Sequence, residues 1–179
     1  MQRSTLRYLK GENHRRRPLP PKEFMHQLLL TSAPVFSTIR PMIKLIDQMH
    51  ELIDNALANG CPCILATAAP DGEPDIGYKG SMMVFDDESL AYWERTRRQH
   101  LKNVTANPKV VVLFRDAKTK VAWRFHGVAT VHDNGSVRDQ VMARTVPAEL
   151  EKDPERKGSA VVIRIDRVTN MGGQVLQSR

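Results

Sequence analysis

The hydrophobic positions that follow residue 41 first repeat with the period of an α-helix. Apolar side chains recur three and four residues apart, and polar side chains fill the positions between them. The apolar face consists of Met42, Leu45, Ile46, Met49, Leu52, Ile53, Ala56 and Leu57. A stripe of this kind packs one side of a helix against a core. The pattern therefore predicts an amphipathic helix that starts at Met42 and ends at Asn59-Gly60.

From residue 61 the pattern changes to short apolar runs that are separated by turn signals. These runs predict strands over residues 61–69, 76–85, 90–95, 109–114, 121–132 and 158–168. Asp71-Gly72 predicts a hairpin between the first two strands. Gly77 and Gly80 lie inside the second strand, where they indicate a bulge or the close approach of another group to the backbone. Helical segments are predicted over residues 97–106 and 133–152.

The order of these elements predicts the fold class. Strands and helices do not alternate regularly, which excludes a doubly wound parallel sheet. Six antiparallel strands of this length predict a mainly β fold with helices that closes into a small barrel. Residues 110–114 and 160–163 are apolar at every position, whereas a strand with one face in water alternates. The outer face of the barrel therefore needs a helix or another subunit, and we expect a homodimer.

Composition limits the class of protein further. The chain has 179 residues, enough for one domain with a core. Cys61 and Cys63 are too close for an easy disulfide and lack zinc-site spacing, so we interpret them as buried thiols. His126 and His132 lie on one strand as a packed or surface pair, and we expect no metal site. No apolar run reaches membrane length and no signal peptide is evident, so we expect a cytoplasmic protein.

The net charge of +7 is concentrated at the start of the chain. Residues 1–41 hold eight of the 27 basic residues and two of the 20 acidic residues, so the remaining residues carry only +1. A basic surface for nucleic acid is therefore not expected on the folded domain. Residues 1–41 are also rich in proline and are predicted to be disordered or extended. Three interpretations remain open: a solvated tail, upstream sequence from a start codon set too early, or a functional basic arm.

Arginines crowd the start of the helix predicted over residues 97–106. Arg95, Arg97 and Arg98 lie where the helix dipole disfavours cations. A bound phosphate would remove this conflict, because it accepts hydrogen bonds from both the helix N–H groups and the guanidinium groups. The alternative is that the arginines extend into water.

A second feature favours a bound phosphate. Lys79 lies beside Gly80 and Ser81 on a strand that would pair with residues 90–95. These groups and the arginines could converge on one place. The combination suggests a flat, phosphorylated cofactor against the sheet, with Trp93 either lining it or packed in the core.

The order of several segments resembles the pyridoxamine 5′-phosphate oxidase-like, FMN-binding split-barrel family. The matching segments are "ILATAAPDGEP", "KGSMMVFDDESLAYWE", "NVTANPKVVVLF" and "WRFHGVATV". The most specific marks are the run from Asn103 to Val110 and the Gly127–Ala129 segment. The resemblance implies a six-stranded antiparallel split β-barrel, a homodimer, and FMN bound near the subunit interface.

The resemblance also implies candidate cofactor-binding residues. Lys79 falls at the phosphate-binding arginine of the family, and the three residues that follow it lie along the flavin. Trp93-Glu94 falls at an aromatic-threonine pair of the family, and Gln99-His100 falls at an arginine-lysine pair. Basic residues at adjacent positions could replace the two cations that are missing from the second pair. The full candidate set is Lys79, Gly80, Ser81, Met82, Trp93, Glu94, Arg97, Arg98, Gln99, His100 and Lys102.

Two departures from the family pattern bear on function. Ala122 stands where the family has a glutamine that reaches the flavin, and the C-terminal Arg-x-His segment of the true oxidase is absent. Oxidation of pyridoxamine phosphate is therefore not expected. We expect an FMN-binding flavoprotein, an oxidoreductase of unknown substrate and unidentified catalytic residues. The alternative is a non-catalytic binding protein for FMN, haem or another small ligand. The predicted organisation is a leader (1–41), a barrel domain (42–170) and a tail (171–179).

Overall fold

The structure is a computed structural model, and it describes residues 42–179. The predictions made for residues 1–41 lie outside the described residues. The described strands are β1 (Cys63–Ala68), β2 (Pro74–Lys79), β3 (Met83–Asp86), β4 (Ser89–Glu94), β5 (Lys109–Asp116), β6 (Val121–His132), β7 (Ser159–Thr169) and β8 (Val175–Ser178). The described helices are α1 (Asp47–Asp54), α2 (Gln99–Ala106), α3 (Ser136–Arg144) and α4 (Pro147–Leu150).

The eight strands form one antiparallel sheet that curls into a half-barrel. Its order is β2-β1-β5-β6-β7-β4-β3, and β8 pairs with β7. The edge strands β2 and β3 are consecutive in the chain and are separated only by residues 80–82. Three residues cannot span a flat sheet of this width, because a chain extends at most about 3.6 Å per residue. The sheet must therefore bend until its two edges approach each other, which agrees with the predicted split barrel.

The inner face of the curled sheet forms the core. Alternate residues of β1 and β5 are buried, as expected for strands with one face inward. The largest buried side chains include Tyr92, Phe114 and Phe125. Phe114 also stacks on Trp123, with ring centroids 5.6 Å apart. Cys63 is buried in this core, where burial raises the pKa of its thiol to about 12.

The outer face of the sheet is covered in part by helix α3. Val141 of α3 packs in a cluster with Met83, Ala91 and Ala160. This contact explains the continuous apolar run at residues 160–163, because the inner positions face the core and the outer ones face α3. The outer face of β2, β1 and β5 is different, since Ile76 and Tyr78 are exposed there.

The first predicted helix is shorter in the structure than its sequence pattern indicates. Residues 42–46 are not helical, although Ile43 and Leu45 are buried. The Leu45 N–H donates to the Asp87 carbonyl, and the Lys44 N–H donates to Oε1 of Gln177. These long-range hydrogen bonds keep the segment out of the helix, so tertiary contacts override the helical period there.

Two strands also differ from their predicted bounds. The strand predicted over residues 76–85 is interrupted after Lys79, and its halves become the opposite edges of the sheet. The tail, which has no strong pattern in sequence, contains β8. This strand adds to β7 through the pairs of Arg167 with Ser178 and Val168 with Gln177. None of the helices among residues 42–179 is long and apolar enough to cross a membrane.

Gly127 marks a contact between β6 and β7 that tolerates no side chain. The register of the two strands shifts between His126 and Gly127. A Cβ atom at Gly127 would lie 2.3 Å from the Arg164 carbonyl oxygen, well inside van der Waals contact. A backbone atom cannot rotate away as the end of a side chain can, so the strands would have to separate.

We predict that Gly127→Ala lowers the free energy of unfolding by about 2 kcal/mol or more, because overpacking against backbone forces strand displacement. The measurement is urea denaturation followed by circular dichroism. Gly172→Ala is the matched control, since a Cβ atom there would meet only Asn170 at 3.4 Å, an ordinary contact. Equal stability of the two variants would contradict the prediction.

Candidate functional site

A cleft of about 370 Å³ opens where the edges of the sheet approach each other. Its walls come from the ends of β2 and β4, the segment that leads into α2, and α4. The cleft brings together eight of the candidate residues: Lys79, Gly80, Ser81, Trp93, Glu94, Arg98, Gln99 and His100. Met82 instead faces the core, and neither Arg97 nor Lys102 lines the cleft. This volume lies within the range of small-molecule sites.

An ion pair between Lys79 and Glu94 joins the last residues of β2 and β4. The Glu94 side chain is only 2% exposed, and Thr96 donates to its carboxylate from both N–H and Oγ1. Burial alone would raise the pKa of Glu94. The Lys79 ammonium and the hydrogen bonds from Lys79 and Thr96 outweigh this effect and hold the pKa below its ordinary value. The charge of Lys79 is therefore neutralised within the protein.

Ser81 and Gly80 form the bend between the two edge strands. The Ser81 hydroxyl accepts a hydrogen bond from the Trp93 N–H and donates one to the Trp93 carbonyl, each at 3.1 Å. The hydroxyl therefore takes the place that the backbone of a neighbouring strand would have as hydrogen-bond partner of Trp93 in β4. Gly80 allows the Glu149 side chain of α4 to approach the backbone closely. Another group of the protein thus approaches Gly80 closely, as the position of this glycine in the predicted strand indicated.

Trp93 is a core residue that also contributes to the cleft wall. Its indole N–H donates to Oδ2 of Asp153 at 2.9 Å, and the Arg138 guanidinium lies 4.8 Å from the ring centroid. Gly158 packs against the ring so closely that a Cβ atom there would lie 2.5 Å from it. These contacts hold the ring in one orientation. Trp93 therefore supplies a fixed surface rather than a mobile one.

The three arginines before α2 have different environments. Arg95 Nε lies 3.5 Å from Oε2 of Glu149. Arg97 adopts a left-handed backbone conformation with φ of 50°, and its guanidinium contacts Asp133 at 3.2 Å outside the cleft. Arg98 occupies the N-cap position of α2 and forms no salt bridge within residues 42–179. Among the described residues that line the cleft, Arg98 is thus the cation without an ion-pair partner.

His100 pairs with Asp75 across the floor of the cleft. Its Nε2 lies 3.2 Å from Oδ2 of Asp75, and Gly77 leaves the space that the imidazole occupies. Burial lowers the pKa of His100, Lys79 lowers it further, and Asp75 only partly opposes them. The buried Nδ1 atom has no hydrogen-bond partner among residues 42–179. His100 is therefore mainly neutral near neutral pH, and it does not add a positive charge to the cleft.

A family comparison assigns the domain. The sequence profile described as Pyridoxamine 5′-phosphate oxidase matches residues 49–171, which is more than half of the chain. The chain belongs to the pyridoxamine 5′-phosphate oxidase family. The resemblance seen in the sequence is thereby confirmed. Among curated proteins, the chain has no significant match.

Solved structures of similar fold agree with this assignment. A candidate pyridoxamine 5′-phosphate oxidase from Lactobacillus delbrueckii is 29% identical, with a TM-score of 0.56 over 72% of this chain and 95% of that protein. HupZ from Group A Streptococcus is 25% identical, with a TM-score of 0.58 over 75% and 99%. An FMN-binding protein from Syntrophomonas wolfei is 16% identical, with a TM-score of 0.56 over 69% and 86%, and shows the fold alone.

Among residues 42–179, three carboxylates line the cleft, and only one of them, Glu94, belongs to the candidate set. Asp75 and Glu149 were not predicted, and Glu94 pairs with Lys79. Asp75 could have been found, because it shares strand parity with Lys79 on β2. Glu149 gives no such signal, since α4 is distant in sequence. The three carboxylates balance the cations Lys79, Arg95 and Arg98, which leaves the cleft close to neutral.

We predict that Glu94→Gln in this family member lowers the free energy of unfolding by about 3 kcal/mol or more, because it leaves the Lys79 charge buried without a partner. The Lys79→Met/Glu94→Gln double variant removes both charges and is expected to be more stable than the single variant. Guanidinium denaturation near neutral pH measures both differences. A single variant as stable as the wild type would contradict the importance of this pair.

The same pair predicts a dependence on pH. Because the pKa of Glu94 is lower in the folded state than its ordinary value of 4.5, the stabilisation is complete above that pH and is lost as the pH falls below it. The wild type should therefore lose more stability than the double variant between about pH 5 and pH 3. Parallel losses in the two proteins would contradict this assignment.

Proposed function

We propose that the chain is an FMN-binding flavoprotein and an oxidoreductase whose substrate is not yet identified. The observation that carries this proposal is the convergence of eight candidate residues on one cleft at the closure of the barrel. Membership of the family supports the same proposal. The similarity to a solved FMN-binding protein extends only to the fold.

Arg98 and the start of α2 are the groups that would hold the phosphate. Arg98 has no salt bridge within residues 42–179, and no side chain caps the first turn of α2. The N–H groups of a first helical turn and a forked guanidinium are both donors that suit a phosphate. Lys79 would act indirectly, because its charge is already paired with Glu94.

The rigid surface at Trp93 would orient the planar part of the cofactor. A bound flavin would supply the electron-transfer chemistry, and the protein would contribute position and electrostatics. The Asp75–His100 pair lies in the same cleft and could hold a proton at Nδ1 of His100. We assign no catalytic role to it, since no substrate position is defined.

We also propose that the protein is a homodimer. The outer face of β2, β1 and β5 carries two apolar rows, which are Tyr78–Ile64–Leu113 and Ile76–Ala66–Val111. Ile76 and Tyr78 are 69% and 74% exposed among the described residues. A contiguous apolar face of this kind is typical of an interface between subunits. Because Tyr78 also lines the cleft, a second copy seated on this face would close one side of it.

The second candidate function is non-catalytic binding of FMN, haem or another small ligand. The observation that favours it is the near neutrality of the cleft, where most cations are already paired. A fold does not decide between catalysis and binding. The two functions differ in one measurement, because only the oxidoreductase would pass electrons from bound flavin to an acceptor over repeated turnovers. Cytoplasmic location stays a prediction.

We predict that Arg98→Ala weakens FMN binding by about 10- to 100-fold, since a charge-assisted hydrogen bond contributes about 1.5–3 kcal/mol. Quenching of flavin fluorescence during titration gives the dissociation constants. Lys102→Ala is the matched control, because Lys102 is exposed on α2 but lies outside the cleft lining. Unchanged affinity in Arg98→Ala, or equal losses in both variants, would remove this phosphate site.

We predict that Ile76→Glu converts a dimer into a monomer, because it places a charge at an exposed position of the proposed apolar interface. Sedimentation velocity measures the change. Ile46→Glu is the control, since Ile46 is also exposed but precedes α1 and is not part of the β2-β1-β5 face. A wild type that sediments as a monomer, or a variant that remains dimeric, would contradict the proposed interface.

A further inference from the structure

Glu149 brings an anionic group of the protein itself into the cleft. It belongs to α4, and its carboxylate occupies the space where a side chain at residue 80 would lie. A Cβ atom built on Gly80 would lie 2.8 Å from Oε1 and 3.0 Å from the carboxyl carbon. The space beside Gly80 in the cleft is therefore already occupied by an anionic group.

The cations around Glu149 bind it as they would bind a ligand. Arg95 Nε lies 3.5 Å from Oε2, and Lys152 Nζ lies 2.7 Å from Oε1. A guanidinium and an ammonium on either side of an anion are also the contacts that a phosphate receives. The internal carboxylate thus neutralises part of the positive charge of the arginine-rich segment before α2, namely that of Arg95.

Glu149 differs from Glu94 in its freedom to move. Glu94 is almost completely buried and is bonded to Lys79 and Thr96. Movement of its carboxylate out of the cleft would leave the charge of Lys79 without a partner. The Glu149 side chain is 14% exposed, and its partners reach solvent, with Arg95 37% and Lys152 52% exposed. Solvent at the partners screens these two ion pairs, so they are weaker than a fully buried pair. Rotation of the Glu149 side chain would break the two pairs and clear Gly80 and Arg95, while Arg95 and Lys152 would remain in contact with water.

We propose that Glu149 is an internal competitor for the anionic group of the cleft ligand. A phosphate displaces its carboxylate from Gly80 and Arg95, and the competition sets how strongly the cleft prefers phosphorylated ligands over uncharged ones. This inference rests on the proposed function in one respect, namely that the phosphate of FMN would be the natural anion. The competition itself concerns the phosphate alone and can be measured without a flavin.

The first experiment titrates the full chain with inorganic phosphate and follows the Gly80 amide and the Arg95 Nε–H by nitrogen-15 NMR. Glu149→Gln is expected to bind phosphate about tenfold more tightly than the wild type, because a like charge near the anion has been removed. Glu151→Gln is the matched control, since Glu151 is an exposed neighbour that does not line the cleft. Its phosphate affinity is expected to equal that of the wild type.

The second experiment compares FMN with riboflavin, which lacks the phosphate. Glu149→Gln is expected to tighten FMN binding about tenfold and to leave riboflavin binding unchanged, because only FMN carries the competing charge. Glu149→Ala should have the same effect, and it provides a second variant if the first does not fold.

The outcomes separate this inference from the proposed function. The inference is overturned if phosphate fails to shift Gly80 and Arg95 in any protein, if both Glu149 variants bind phosphate like the wild type, or if Glu151→Gln tightens binding equally. If the Glu149 variants bind phosphate more tightly but no protein binds flavin, the inference is supported and the proposed function fails. If FMN binds through Arg98 and ignores Glu149, the proposed function is supported and the inference fails.

Discussion

The closure of the barrel depends on a buried ion pair at the seam of the sheet. Residues 80–82 connect strands that form opposite edges, and this short link forces the edges together. Lys79 at the end of edge strand β2 then pairs with Glu94 at the end of β4, the neighbour of edge strand β3, while the Ser81 hydroxyl pairs with the β4 backbone. The cleft is the space that this closure leaves between the sheet, α2 and α4. Fold and candidate site thus share the same few residues.

The residues of the cleft fall into two groups according to their burial and their partners. Glu94 and Trp93 are buried, Lys79 is only 12% exposed, and each has a polar partner within the protein, so their interactions mainly maintain the seam. Arg95 and Arg98 are exposed, and Glu149 is 14% exposed and pairs with the more exposed Arg95 and Lys152; Arg98 has no salt bridge within residues 42–179. A ligand can reorganise the second group without breaking the barrel. The physical basis is desolvation, because a buried charge that loses its partner costs far more than an exposed one.

The overall electrostatics of the cleft modify what the family resemblance implies. The candidate set suggested a strongly cationic pocket for a phosphate, whereas the folded chain surrounds its cations with three carboxylates. A near-neutral cleft gives a phosphate less attraction than a cationic one, since each carboxylate opposes the anion over a short distance. Affinity would then depend on whether the carboxylates can move. For this reason Glu149, which occupies the space beside Gly80 and pairs with the partly exposed Arg95 and Lys152, is the residue expected to govern ligand selectivity.

Much of the architecture was determined by local sequence alone. Alternating and continuous apolar runs placed β1, β4, β5, β6 and β7 almost at their observed bounds, because a strand shows its buried face in its own residues. The arginines before α2 and the glycines of β2 also marked the region of the cleft. Local sequence could not show that residues 80–82 separate two edges, that residues 42–46 are not helical, or that the tail supplies β8. Those features, and the arrival of Glu149 at Gly80, depend on partners far along the chain, and only the closed barrel brings such partners together.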